Sequence, residues 1–172
     1  MKSSLLTFFK ALLSVPIAIG LLYPLLNPSA SGGVLNELKI FGSTISALIV
    51  FVFLLFVLFY ALDLIKLLNL VSPESRKVNP NSVWLMFLLP YNFIEDFFII
   101  FHVATSIEKE ASINSKISSF KTFGKVSGFG WCLAQIVSLS PNDFGSIAGL
   151  VALIFWYWHW MFIRRVNKTL MA

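Results

Sequence analysis

Apolar residues run through this chain in long blocks. Stretches free of Asp, Glu, Lys and Arg cover residues 11–36, 40–62, 78–94, 97–107, 126–142 and 144–163. They do not alternate with a period of two, so they read as helices rather than strands. A helix needs roughly 20 apolar residues to cross the hydrocarbon core of a bilayer. Inside lipid every backbone N–H and C=O must also be paired within the segment or a closed barrel. The pattern predicts spans at residues 5–26, 40–70, 126–139 and 144–163. It adds a helical hairpin at 83–107 and a surface helix at 108–122, all within one polytopic membrane domain, 1–172.

Local signals refine these elements. Pro16 and Pro24 fall inside the first span, where neighbouring helices can satisfy the backbone groups they free. Lys10 is expected to snorkel to the near interface. Lys10 also splits the apolar stretch and no small-residue cleavage motif follows, so residues 1–30 are not expected to be a cleaved signal peptide. Asn27 to Gly33, rich in Ser, Gly and Pro, reads as a loop. Asp63 and Lys66, at i and i+3, can pair where the second helix leaves the lipid. Asn79 and Pro80 read as the cap and first position of a helix. Asn142 or Asp143 is expected to cap the last one.

Residues 83–107 are the ambiguous stretch. Their length suits one span, but Pro90 removes a hydrogen bond within it. Glu95 and Asp96 follow, and a charge at the bilayer centre costs about 2.5–3.5 kcal/mol on insertion scales. Charge counting separates the readings. If the stretch spans and the N-terminus is cytoplasmic, five basic residues lie inside and eight outside. If it re-enters or lies in the interface, every basic residue except Lys39 falls on one side, twelve against one. Lys and Arg accumulate on the cytoplasmic side, so the second reading is preferred. The expected fold is therefore all-α: four transmembrane helices plus a Pro-broken re-entrant or interfacial helical hairpin, with both termini cytoplasmic. Beyond the hairpin, Ile113, Ile117 and Phe120 recur at helical spacing with Lys116 and Lys121 off the stripe, as on a helix lying on anionic headgroups.

Composition narrows the class. The chain is 58% hydrophobic and 12% charged with a mean hydropathy of +0.84. Soluble domains average about 45–50% apolar and about 25% charged, so a soluble enzyme is excluded. The pI near 9.5 comes from residues at the ends of apolar runs, which argues topology and not nucleic-acid binding. One cysteine, Cys132, excludes an intrachain disulfide and reads as buried packing. No internal repeat supports an inverted-repeat transporter.

The candidate chemistry is a polar stripe. Asn92, Glu95, Asp96, His102, Ser106 and Lys109 share one face of the helix after Pro90. The expected role is the wet face of an interfacial helix. The alternative is the lining of a cavity, proton path or ion site. Two histidines on different elements, His102 and His159, fall short of the three or four ligands of a zinc site, so no metal and no cofactor are expected. Small residues at four-residue spacing (Gly42 and Ser46, Gly124 and Gly128, Gly145 and Gly149) are candidate helix-packing positions. The run Trp156 to Trp160 reads as an interfacial aromatic belt.

Residues 78–110 resemble a group of uncharacterised small bacterial polytopic membrane proteins with a Trp–Pro–Asn element after the second helix. The matching residues are Pro80, Trp84, Pro90, Asn92, Ala104, Ser106 and Glu110. The resemblance implies a bacterial inner membrane and a layout of helices, and no chemistry. The expected function is a non-enzymatic integral membrane protein, acting as an accessory, scaffold or regulatory subunit through helix and cytoplasmic-face contacts. The alternative is an oligomeric pore or small transporter lined by the Glu95/Asp96/His102 stripe. Expected partners are the lipid bilayer and a protein partner or second copy, with no nucleic acid.

Overall fold

The computed structural model describes residues 3–27, 33, 37, 38 and 40–172. Among them all regular structure is helical: α1 (Ser3–Leu26), α2 (Gly42–Leu70), a 3-10 helix (Pro80–Phe87), α3 (Asn92–Ile113), a short 3-10 turn (Ser115–Ile117), α4 (Lys125–Val137) and α5 (Asp143–Met171). Of the expected loop from Asn27 to Gly33 only those two residues are described, and Lys39 also lies outside the described residues.

Among the described residues three helices are long and apolar enough to cross a membrane: Ser4–Pro24 within α1, and the whole of α2 and α5. The expected fourth span, 126–139, is shorter. Helix α4 has 13 residues and rises only about 20 Å, against a hydrocarbon core of about 30 Å. It stops because the chain turns at Leu139 and Ser140, whose N–H groups donate to Ile136 and Val137 carbonyls. Asn142 then caps α5, its side chain accepting from Gly145 N–H at 2.9 Å.

Helix α5 packs along α4 and α2, while α3 packs on α4, the 3-10 helix and α1. Hydrogen bonds sort the connections into two ends. At one end Gly33, between α1 and α2, donates to Asn142 O, between α4 and α5, and to Ser146 Oγ in the first turn of α5. At the other end Ser72 donates to Glu110, and Lys77 N–H donates to Ser106 Oγ at 2.9 Å. Lys125 there pairs with Glu108. The chain between Lys77 and Ser106 therefore leaves and returns at the same end.

Within that excursion Asn79 Oδ1 accepts from Asn81 N–H, with Pro80 opening the 3-10 helix. The helix stops before Pro90, which follows a cis peptide bond, and α3 starts at Asn92. The expected surface helix at 108–122 is not a separate element. Residues 108–113 continue α3, because Ile107 and Glu110 are buried and Glu110 is tied to Ser72. The side chain of Asn114 then accepts from Lys116 N–H and the helix ends. Ile117 is fully buried and Phe120 packs on Phe162, so these two face the bundle, while Ile113 remains exposed.

The core lies between the inner half of α2 (Tyr60, Leu64, Leu67, Leu68), the middle of α3 (Ile99, Ile100, Val103, Ile107) and α5 (Trp156, Ile163, Val166).

Candidate functional site

The Pro90 break sets the register of α3, and the 3.6-residue period then turns Glu95, Asp96, Ser106 and Glu110 into the bundle. All four are buried. Of the expected wet face, Glu95, Asp96 and Ser106 are thus buried, Asn92 and His102 are half-buried, and Lys109 is exposed.

Glu95 meets a charge from another helix. Lys10 Nζ lies 2.6 Å from Glu95 Oε2, and both side chains are about nine-tenths buried. The same ammonium sits 3.9 Å from the centre of the Phe98 ring. Lys10 therefore points inward instead of snorkelling. An unpaired charge there would bear its full desolvation cost, and the pair satisfies both members. Ser14 Oγ donates to the carbonyl of Lys10, tightening the helix at that turn.

Asp96 is only 2% exposed and accepts from Gln135 Nε2 at 3.0 Å, which joins α3 to α4. Its second oxygen, Oδ1, is buried with no hydrogen-bond partner, and so is Asn92 Oδ1 one turn earlier. His102 is half-buried and lies within electrostatic reach of both Lys10 and Glu95. Ser106 Oγ donates to His102 O and accepts from Lys77 N–H, closing the base of the excursion. Lys109 Nζ reaches Glu74 O at 2.5 Å. The stripe residues thus make four attachments to other parts of the chain: Glu95 to Lys10, Asp96 to Gln135, Ser106 to Lys77 and Lys109 to Glu74.

Glu110 anchors the same base. Burial raises its carboxyl, but hydrogen bonds from Ser72, Ser75 and Asn114 outweigh burial and hold it below the ordinary glutamate value.

A second polar contact lies deep between α2 and α5. Tyr60 Oη and His159 Nδ1 are 2.8 Å apart, and neither residue exceeds 1% exposure. Trp131, Trp156 and Trp160 surround the Tyr60 ring edge-on. The expected aromatic belt is divided accordingly. Trp156 and His159 turn inward, and Trp160 Nε1 donates to Asp63 Oδ2 at 2.7 Å. Tyr157 and Trp158 remain outside. Asp63 has Arg164 at 3.9 Å as its ionic neighbour in place of the expected Lys66.

The small residues also separate. A Cβ on Gly128 would collide with Ile100 Cγ2 and lie 3.0 Å from His159 Cδ2, so its bare backbone admits α3 and α5 together. Gly124 has φ +77° and lies under Phe162. Gly145 abuts the Ser140 carbonyl and Gly33, and Gly149 is buried. Gly42, at φ +73°, has open space where a Cβ would stand, and Ser46 Oγ donates to Leu38 O. Those two sit at the entry to α2.

Pattern reading missed Lys10, Gln135 and Tyr60 as partners. The available signal was a lone lysine and a lone amide inside otherwise apolar helices, each needing a polar partner in lipid. Among the described residues no three His, Cys, Asp or Glu side chains converge as a metal site would require. No family model, curated protein or solved structure matches the chain.

Proposed function

We propose that this is a non-enzymatic integral membrane protein that acts through assembly, as an accessory, scaffold or regulatory subunit. The observation that carries the reading is that Glu95 and Asp96 are each tied to another helix of the same chain, by Lys10 and Gln135. Groups so engaged hold helices in place. Contact surfaces then remain on the lipid-exposed helix faces and on the basic end that carries Lys66, Arg164, Arg165 and Lys168.

The proposed topology has four crossings, with α4 as a short one, and a re-entrant excursion at 78–105. Two contacts support it. Gly33 with Asn142 joins both connections expected outside, and Ser72 with Glu110 brings the ends of the excursion together. The basic residues then place both termini in the cytoplasm of a bacterial cell, with the protein in the inner membrane. The family of small bacterial membrane proteins carrying the Trp–Pro–Asn element remains the proposed relationship.

The second reading is an oligomeric pore or small transporter. Buried oxygens without donors at Asn92 and Asp96 favour it, since an ion or proton could fill that role. Reconstituted Glu95→Gln/Asp96→Asn protein discriminates the two. Under the assembly reading ion flux equals that of empty liposomes before and after the change, and thermal stability falls. Flux in the parent that the double change abolishes, with melting unaltered, would overturn it.

A further inference from the structure

At the basic end of the bundle a cleft of about 780 Å³ opens between α2 and α5. Its walls change character along the helix axis. Ile154, Tyr157, Trp158 and Met161 line one part, and Arg164, Arg165 and Lys168 follow them on the same face of α5. Lys66 of α2 closes the cationic part from the other side. Asp63 is the carboxylate within the cleft, and it is engaged by Trp160 Nε1 and Arg164. Among the described residues no carboxylate lies within ion-pair distance of Lys66, Arg165 or Lys168.

The ten residue-to-residue steps from Ile154 to Arg164 rise about 15 Å, half of a hydrocarbon core of about 30 Å. The apolar wall is thus as long as one leaflet is deep, and the cations begin where headgroups begin. Ile154, Tyr157 and Trp158 are all more than half exposed, so the wall is continuous with the lipid-facing surface. A ligand that enters from the bilayer with an apolar tail and an anionic head meets both parts at once. A soluble anion or acidic peptide would leave the apolar wall uncovered.

We propose that this cleft is a binding site for an anionic phospholipid. The phosphate lies among Arg164, Arg165, Lys168 and Lys66, where Arg offers paired donors to phosphate oxygens. The acyl chain runs along Tyr157, Trp158 and Met161. Basic pockets between membrane helices are suited to such headgroups.

The full chain in mild detergent tests this. Phosphatidylglycerol is expected to raise the melting temperature, while phosphatidylcholine with the same acyl chains and inorganic phosphate are not. Native mass spectrometry should retain phosphatidylglycerol on the unmodified protein in preference to phosphatidylcholine, a measurement that needs no variant. Arg165→Gln/Lys168→Gln should weaken the apparent affinity at least fivefold with lipid-free melting unchanged. Lys77→Gln/Lys116→Gln, which removes the same charge elsewhere, should change it less than twofold. Equal retention or stabilisation by phosphatidylcholine overturns the proposal, as does equal weakening by the two double variants. Stabilisation by phosphate alone would make the cleft a free-anion site and overturn the lipid.

Discussion

The two halves of α2 are both mostly apolar and have opposite surroundings. From Gly42 to Phe56 nearly every residue is exposed, on all faces of the helix. From Tyr60 to Leu68 five residues are buried: Tyr60, Ala61, Leu64, Leu67 and Leu68. Both stretches are rich in Leu and other apolar residues, and Asp63 and Lys66 are the charged residues of the second. Lipid tails are as apolar as leucine, so association inside a membrane rests on packing and hydrogen bonds instead of on hydrophobic transfer. The inner half meets α5 and the 3-10 helix, and its own Tyr60 is hydrogen-bonded to His159 of α5. The outer half offers side chains to whatever surrounds it, lipid or another helix.

The largest expected effect tests the polar attachments that go with the packed half. Lys10→Met leaves Glu95 buried and unpaired, which should cost about 3–5 kcal/mol of stability. Adding Glu95→Gln should restore much of that loss in a thermal or denaturant melt in detergent. If the single change melted like the parent, the pair would have no structural role.

Tyr60→Ala set against Phe51→Ala tests the two halves directly. Tyr60 is fully buried and Phe51 is 58% exposed. The first change should cost about 3 kcal/mol through lost contacts and the lost bond to His159, and the second should leave melting nearly unchanged. Equal losses would show that the outer half is also packed, against a second copy or a partner retained through purification.

Gly128→Leu against Val52→Leu makes the same comparison for close approach. The added side chain has no room at Gly128, between Ile100 and His159, and should cost about 2 kcal/mol. Val52 is exposed, and its change should be silent. Equal melting temperatures would remove the close contact from the account.

The smallest effect concerns pH. The folded Glu110 value lies below its ordinary one. Its contribution is therefore complete above the ordinary glutamate value of about 4.3 and is lost as pH falls through the lower folded value. Ser72→Ala should lower stability by about 1 kcal/mol at neutral pH and flatten this acid-side dependence. An unaltered pH profile would mean that Ser72 does not hold the carboxylate.

Much of the helical layout was legible along the chain because bilayer thickness and backbone pairing leave few choices. The apolar runs of α1, α2 and α5, the Pro90 break, the Asn79–Pro80 start and the Asn142 cap are local properties of the residues themselves. Which way a polar side chain turns is not local. Lys10 and Glu95 stand 85 positions apart, and a lysine two turns into a helix can reach an interface or a carboxylate equally well. Asp96 found Gln135, Tyr60 found His159, and the Trp156–Trp160 run divided between core and surface. Each outcome depended on which helix lay opposite. Periodicity shows that residues share a face, but the face becomes buried or wet only when another helix covers it. That covering, and with it the change from an expected wet stripe to a set of buried attachments, was decided by the tertiary structure alone.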